Sequence, residues 1–323
     1  MTLGNPPFAA AGALDLDVSA VMWMGLAALV IAMLVVDLLV FARDGGPPGF
    51  RASAIWSVVW LVLALAFGAA FSAWQGGEAG SQYLAGYLLE RSLSLDNIFV
   101  FAVILGYFAV PAAVQPRVLA WGIALALVLR LVFILAGAAL LDAFHATFYL
   151  FGAVLLFTAY KLARHEDTQI EPEHNPALRL LRRRVAMTGE YHGDRLAVRA
   201  DGRRVATPLL AVFVVVATTD LVFAVDSIPA IFAVTQEPFI VFAANAFAMI
   251  GLRALLFVLA GMMERFAHLS AGLAVILAFI GVKMLLIDVW HPPIWLSLTV
   301  IAGVLAVTVA LPGRAAPRSE SAR

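Results

Sequence analysis

The sequence predicts an all-α, polytopic membrane protein with about nine transmembrane helices. Of its 323 residues, 63% are hydrophobic and only 13% are charged, whereas about 25% of the residues in a soluble globular domain are charged. Several apolar runs approach the ~20 residues that a helix needs to cross a bilayer. The chain has no cysteine, which excludes disulfides, zinc–thiolate sites and thiol redox chemistry.

Nine apolar runs follow one another along a single transmembrane domain (1–323). In chain order, the predicted spans cover residues 21–41, 54–74, 84–110, 118–141, 147–162, 208–234, 239–263, 269–289 and 294–311. They group into two N-terminal helices (20–76), a first set of three (80–163), a second set of three (207–290), and a last helix with its tail (293–323). The arginine-rich segment between the two sets, residues 164–206, has no apolar periodicity, and we expect it to be partly disordered.

The charges between the spans indicate the orientation. With the N-terminus outside, the outer loops contain no Lys or Arg, and their charged residues are Asp15, Asp17, Glu78, Asp142, Glu237 and Asp288. The inner loops then contain the arginines, including the run at 182–184. Cytoplasmic loops carry the excess of Lys and Arg. We therefore predict an external N-terminus, an odd number of spans, and a cytoplasmic C-terminus.

An internal repeat emerges from the charged residues inside the spans. Glu90 precedes Asp96 by six positions, and Asp220 precedes Asp226 by six. The segments "RLVFILAG" and "RALLFVLAG" follow the respective acids, and "FGAVLLFTAYKL" and "AGLAVILAFIGVKML" close the two sets. Spans three to five thus resemble spans six to eight. Because three is odd, the copies cross the membrane in opposite directions, which is the inverted repeat found in many secondary transporters.

Four motifs carry a resemblance to a known family. "ERSLSLDNIFVF", "TDLVFAVDSIPAIFAVT", "NAFAMIGLRALLF" and "GVKML" together resemble the TerC family of integral membrane proteins, which is named for tellurium resistance and includes the Alx proteins. The resemblance covers about residues 20–310. It implies a manganese(II) exporter of the bacterial cytoplasmic (inner) membrane that contributes to metal homeostasis and resistance. It also implies a role in transport for the acids of the first two motifs, here Glu90, Asp96, Asp220 and Asp226.

Helical geometry separates the two acids of each motif. Six residues correspond to ~600° of rotation and ~9 Å of rise on an ideal helix, so Glu90 and Asp96 do not share a face. Glu90 does share a face with Ser94 and Asn97, and Asp220 shares one with Ser227. Either a partner helix completes each site or the helix is broken. Pro229 favours a break in the sixth span, because it leaves the carbonyl of residue 225 without its usual N–H donor.

The candidate ligands of a transported ion are all oxygen donors. They are Glu90, Asp96, Asn97, Asp220, Asp226, Ser227 and Asn245. Oxygen-only sites suit magnesium, calcium or manganese, and the choice of manganese rests on the family resemblance. Four basic residues inside the spans are expected to pair with the acids or to hold the spans together. These are Arg91, Arg130, Arg253 and Lys283.

The inverted repeat also predicts an order of the acids across the membrane. Asp96 and Asp226 are expected together near the midplane, with Asp220 toward the cytoplasm and Glu90 toward the exterior. An ion would then pass Asp220, bind between Asp96 and Asp226, and leave past Glu90, while one repeat rocks against the other.

Other functions are compatible with the same residues. The cation could be another hard divalent ion such as Ca²⁺. The protein could also be a non-transporting membrane scaffold in tellurium or stress resistance, recruiting partners through the arginine-rich segment. An enzyme is not predicted, because no nucleophile–base pair or zinc-binding pattern is present, and no P-loop motif occurs. The sequence predicts no cofactor and no nucleic-acid partner, names no protein partner, and leaves the divalent ion and the bilayer as partners.

The predicted orientation can be tested at residue 175. A reporter that is active only in the cytoplasm, fused near Asn175, should be active, because the arginine-rich segment should be retained on the inner side. The same reporter at the external Asp142 is the control and should be inactive. A periplasm-specific reporter that is active near Asn175 would contradict the topology.

Overall fold

The structure is a computed structural model, and it describes most of the helical core. The described residues are 14, 16, 18–42, 49–164, 175–200, 203–259, 269–290 and 292–310. Eleven helices and two short strands occur in this part of the chain. The helices are α1 (Ala20–Ala42), α2 (Phe50–Gln75), α3 (Gly77–Tyr107), α4 (Gln115–Ala143), α5 (Ala146–Ala163), α6 (Pro176–Arg184), α7 (Pro208–Phe232), α8 (Pro238–Ile250), α9 (Leu252–Leu259), α10 (Leu269–Leu285) and α11 (Ile294–Ala310). The strands are β1 (Ala197–Ala200) and β2 (Arg203–Ala206).

The helices confirm an all-α membrane protein with several spans. Among the described residues, six helical stretches are long and apolar enough to cross a membrane, and two shorter apolar helices follow them. The six are 20–40, 50–75, 115–143, 146–163, 208–232 and 238–258. Helix α3 has 31 residues but carries Glu90, Arg91 and Asp96 at its centre. The total of nine spans and the inverted repeat remain predictions.

The helix break does not lie where the sequence suggested. Helix α7 continues through Pro229 to Phe232, so the expected break in the sixth span is wrong. Pro229 is only three residues from the helix end, and its own carbonyl accepts the N–H of the C-cap residue Ala233. The interruption lies at Gly251, between α8 and α9. A Cβ atom at Gly251 would lie 2.8 Å from Nη1 of Arg91, so a larger residue there would displace the end of this arginine side chain.

The core packs the two predicted repeats against each other. Helix α3 contacts α8, α4 contacts α7, and α5 contacts α10. The α5–α10 contact is close because Gly152 and Gly281 face each other. A Cβ atom on Gly152 would lie 3.0 Å from the carbonyl oxygen of Gly281, and one on Gly281 would lie 3.1 Å from that of Gly152. Small residues allow helix backbones to approach in this way in membranes.

The arginine-rich segment contains regular structure in its described part. Asn175 caps α6, and its side-chain oxygen accepts from the N–H groups of Ala177 and Leu178. The antiparallel hairpin of β1 and β2 leads into α7. Residues 165–174 and 201–202 lie outside the described chain. The short elements of this segment bury little apolar surface, and therefore hydrophobic periodicity did not predict them.

Candidate functional site

One arginine joins two acids inside the helix bundle. Arg130 of α4 donates from Nε and Nη2 to the two carboxylate oxygens of Asp220, at 3.0 and 3.2 Å. Its Nη1 donates to Oε1 of Glu90 and, at 3.2 Å, to the hydroxyl of Ser227. The side chains of Glu90 and Arg130 are fully buried, and that of Asp220 is 2% exposed. This acid–arginine cluster thus connects α3, α4 and α7.

The cluster uses the helix faces that the spacing predicts. Ser94, one turn after Glu90, donates to Oε1 of Glu90 at 3.4 Å. Asp220 and Ser227, seven residues apart on α7, both contact Arg130. Oε2 of Glu90 is buried and accepts no hydrogen bond within the described chain. With both acids ionised, the three charged groups sum to −1, and a buried charge of this kind needs a proton or a cation for balance.

Asp226 faces a different helix. Its Oδ1 accepts a hydrogen bond of 2.8 Å from Thr158 of α5, and its side chain is half-buried. Asp226 is thus near the α5–α7 contact rather than beside Arg130. Its helical direction, about a third of a turn from that of Asp220, accounts for the separation.

The observed cluster exchanges the central and the flanking acids of the prediction. Glu90 and Asp220 bind the same guanidinium, so they cannot lie on opposite sides of the site, as the sequence suggested. Helix periodicity fixes which residues share a face, but not which face points to the bundle centre. Along the helices, Asp96 and Asp226 are each six residues, ~9 Å of rise, from the cluster. The side chain of Asp96 lies outside the described part of the structure.

The other basic residues of the spans have different partners. Arg91 donates to the carbonyl oxygen of Ala248 at 2.9 Å, and Lys283 donates to the hydroxyl of Ser297 at 3.3 Å. Arg253 forms a buried ion pair with Asp37 of α1, 2.6 Å from Nη2 to Oδ2. It also donates to the carbonyl of Pro116 at 3.0 Å. Asp37 is not among the residues predicted from the sequence, although a lone acid inside the first apolar run is a visible signal.

Two further predicted ligands are buried amides. Asn97 follows Ser94 on α3 and is 3% exposed. Asn245 of α8 is fully buried, and neither its Oδ1 nor its Nδ2 has a hydrogen-bond partner in the described chain. Among the described residues, no three His, Cys, Asp or Glu side chains lie together as a metal-binding group. Of the seven predicted ligands, the structure brings Glu90, Asp220 and Ser227 together at Arg130, and the full set stays a prediction.

The family of the chain follows from its sequence. A family model described as "Integral membrane protein TerC family" matches residues 75–320, which include the cluster and both acidic motifs. The chain belongs to the TerC family. The prediction from the four motifs is confirmed at this level.

Relatives of this TerC protein occur in distant bacteria. It is 45% identical over 303 residues to an uncharacterized membrane protein of Myxococcus xanthus, covering 93% of this chain and 95% of the relative. It is 45% identical over 298 residues to the Escherichia coli K12 protein named "Putative membrane-bound redox modulator Alx", covering 89% and 92%. It is 42% identical over 272 residues to an uncharacterized membrane protein of Mycobacterium bovis, covering 83% and 68%. No solved structure matches the chain.

Loss of the central arginine should destabilise the protein strongly. Arg130→Met leaves two buried carboxylates without their shared cation, which should cost about 3–5 kcal/mol. The melting temperature of the purified protein in detergent measures the effect. Arg117→Met is the control, because Arg117 pairs with Asp194 at the surface, and such a pair contributes about 0–1 kcal/mol.

A second substitution tests the cause of that loss. Adding Glu90→Gln to Arg130→Met removes one of the two orphaned charges, so the double variant should melt above Arg130→Met. Equal melting of Arg130→Met and Arg117→Met would contradict the central role of the cluster. A double variant that melts below Arg130→Met would contradict the electrostatic explanation.

Proposed function

We propose that this protein exports a divalent cation, Mn²⁺, from the cytoplasm by alternating access. The observation that carries the proposal is the acid–arginine cluster. Two buried acids, one from each predicted repeat, share Arg130, and with both acids ionised the three groups carry a net charge of −1. Ionisable residues inside membrane proteins mark ion pathways and proton relays.

The chemistry of the cluster favours a hard cation. Its acceptors are carboxylate and hydroxyl oxygens, and Glu90 retains an oxygen that accepts no described hydrogen bond. Oxygen donors suit Mg²⁺, Ca²⁺ and Mn²⁺. The choice of Mn²⁺ comes from the resemblance to the TerC family, and Ca²⁺ is the alternative cargo. No P-loop motif is present, so an ion gradient or the membrane potential would drive export.

The observed positions of the acids support a revised route. With the predicted topology, α3 runs inward from Glu90 to Asp96, and α7 runs outward from Asp220 to Asp226. An ion would therefore pass Asp96 from the cytoplasm, bind beside Glu90 and Asp220, and leave past Asp226. Arg130 would hold the two central acids whenever the ion is absent.

The packing of the helices supports rocking of two repeats. An inverted repeat relates α3 to α7 and α4 to α8. The contact that is equivalent to α3–α8 in the other direction is therefore α4–α7. Both contacts occur, and the α5–α10 contact, which the relation maps onto itself, occurs as well. Such an arrangement permits two equivalent states that open to opposite sides.

The main competing function is a membrane scaffold. It requires the exposed arginine-rich segment and does not require buried acids. A redox role, as the name of the E. coli relative states for that protein, could not use thiols of this chain, because the chain has no cysteine.

Removing one acid of the route should strongly reduce export. Asp226→Asn or Asp220→Asn keeps the size of the side chain but removes a negative charge near the dication. Loss of at least one stabilising contact of ~1.4 kcal/mol lowers the transport rate at limiting Mn²⁺ by about tenfold or more. Uptake of Mn²⁺ into inside-out vesicles measures it, with Ca²⁺ and Mg²⁺ in parallel. Asp142→Asn, at an exposed acid, is the matched control. Wild-type uptake by both variants would contradict the roles assigned to these acids, whereas no protein-dependent uptake even by the unaltered chain would favour the scaffold.

The revised route predicts the side from which each flanking position is reached. A single cysteine at position 226 should react with a membrane-impermeant thiol reagent from outside, and one at position 96 from the cytoplasm. The native chain contributes no background. A cysteine at Val289, which is 84% exposed and predicted to be external, reports the sidedness of the vesicles. The opposite pattern would overturn the route even if Mn²⁺ transport were observed.

A further inference from the structure

Helix α6 lies on the lipid-facing side of α7. The side-chain amide of Asn175 donates to the hydroxyl of Thr218 at 2.9 Å. Thr218, Val222 and Val225 share one face of α7, at spacings of four and seven. Val222 is 65% exposed and Val225 is 49% exposed, so this apolar face points away from the bundle and toward lipid. Helix α6, which covers the cytoplasmic end of this face of α7, therefore lies at the perimeter of the protein.

The depth of α6 follows from its contacts with α7. Asn175 lies at Thr218, ten residues or ~15 Å along the axis from Pro208. Arg182, near the other end of α6, borders a cavity together with Pro208 and Ala211. Helix α6 thus runs antiparallel to α7. Its N-terminal end lies deepest, and its last turn lies at the start of α7, at the predicted cytoplasmic surface.

The outward face of α6 combines one apolar side chain with arginines. Leu178 is buried and Leu181 packs on the core, so these two define the inward face. Leu180 is 57% exposed, and the exposed Arg183 and Arg184 follow it at spacings of three and four, which places the three side chains together. A short basic helix with an exposed apolar residue is the pattern of a membrane-surface helix.

A tryptophan marks the same depth on α4. Trp121 is 62% exposed, and the adjacent Gly122 packs against Val216 of α7. Leu180 is five residues beyond Asn175, and therefore lies ~7.5 Å from the level of Thr218 toward the cytoplasmic end of α7. This level is within about one helical turn of Val216. Exposed tryptophans are enriched at the boundary between hydrocarbon and headgroups. Leu180 therefore lies at this boundary, and Arg183 and Arg184 lie at the level of the headgroups.

The charge of the surrounding unit is complementary to an anionic leaflet. The exposed arginines of α6 and the hairpin are Arg179, Arg182, Arg183, Arg184, Arg195, Arg199, Arg203 and Arg204. The acids among the described residues of the unit are Glu190 and Asp194, and Asp194 pairs with Arg117. Tyr191 donates to the carbonyl of Phe108 at 2.6 Å, which holds the unit against the end of α3.

We propose that the outward face of α6, formed by Leu180, Arg183 and Arg184, is a docking surface for anionic phospholipid headgroups of the surrounding membrane. The guanidinium groups bind the lipid phosphates, and Leu180 inserts between the first acyl carbons. Guanidinium groups bind phosphate oxygens in bidentate fashion. The proposal rests on the depth and charge of α6 and does not depend on ion transport.

The test uses the full chain with one fluorescent label. Leu180→Cys is labelled with an environment-sensitive dye, and the protein is reconstituted in phosphatidylcholine vesicles with 0, 20 or 40% phosphatidylglycerol as probe. At equal mole fraction, spin-labelled phosphatidylglycerol should quench the dye more than spin-labelled phosphatidylcholine does, and added unlabelled phosphatidylglycerol should reduce that difference. Because each Arg near the surface contributes about 1 kcal/mol, Arg183→Gln with Arg184→Gln should weaken phosphatidylglycerol binding roughly 30-fold.

Controls separate this surface from general charge. Arg199→Gln with Arg203→Gln removes the same charge from the end of the hairpin that is remote from α7, and should retain quenching. Added inorganic phosphate should not compete, whereas 0.5 M salt should reduce quenching without any substitution, as expected from screening. Equal quenching by the two spin-labelled lipids, or an equal loss of the preference in the hairpin variant, would overturn the proposal. If the glutamine variant fails to fold, two measurements still test the proposal. They are the effect of salt and the double variant Arg183→Lys with Arg184→Lys, which should retain most phosphatidylglycerol binding.

Discussion

The bidentate contact between Arg130 and Asp220, extended to Glu90, is the constraint on which the central packing depends. A charge in the membrane interior is tolerated only when it is paired and hydrogen-bonded. Three buried charged groups on three helices can be satisfied only if α3, α4 and α7 approach at one level. Ser227 and Ser94 complete the hydrogen bonds around Arg130 and Glu90. The hydrophobic effect does not drive helices together inside lipid, so this polar contact acts together with the close packing of small residues in selecting the arrangement.

Arg130 and Arg253, which occupy equivalent positions in the predicted repeat, have different structural roles. Arg130 binds two acids of the motifs, whereas Arg253 binds Asp37 of α1, which lies outside both repeats. Arg253 also reaches the carbonyl of Pro116 near the start of α4. One copy of the arginine therefore forms the candidate ion site, and the other attaches an N-terminal helix to the repeat core. A single central site needs only one such arginine, so the second position was available for a structural role.

Local sequence rules predicted much of the fold and part of the site. Hydropathy located the apolar helices, since lipid requires continuous apolar segments, and spacing placed Ser94 beside Glu90 and Ser227 beside Asp220. Spacing could not predict which face of α7 contacts Arg130, because the sequence pattern of one helix does not specify which neighbouring helix each face packs against. The acids were therefore ordered wrongly. Asp37 was missed because its partner, Arg253, is more than two hundred residues away along the chain. The elements α6, β1 and β2 are too short to show periodicity.

Charge balance offers a reason for acids at a spacing of six in both motifs. In the proposed cycle, the cluster alone has a charge of −1 and cannot neutralise a dication. Adding either flanking acid, Asp96 or Asp226, makes the sum with a divalent ion zero. The ion would thus be neutralised at two successive positions, first by the cluster with the inner acid and then by the cluster with the outer acid. Without the ion, the cluster and the flanking acid sum to −2, so two protons, one on the cluster and one on that acid, give the same neutrality, and two protons would exchange for one divalent cation. A monovalent ion is already balanced by the cluster alone, so the flanking acids are the part of the site that favours divalent cargo.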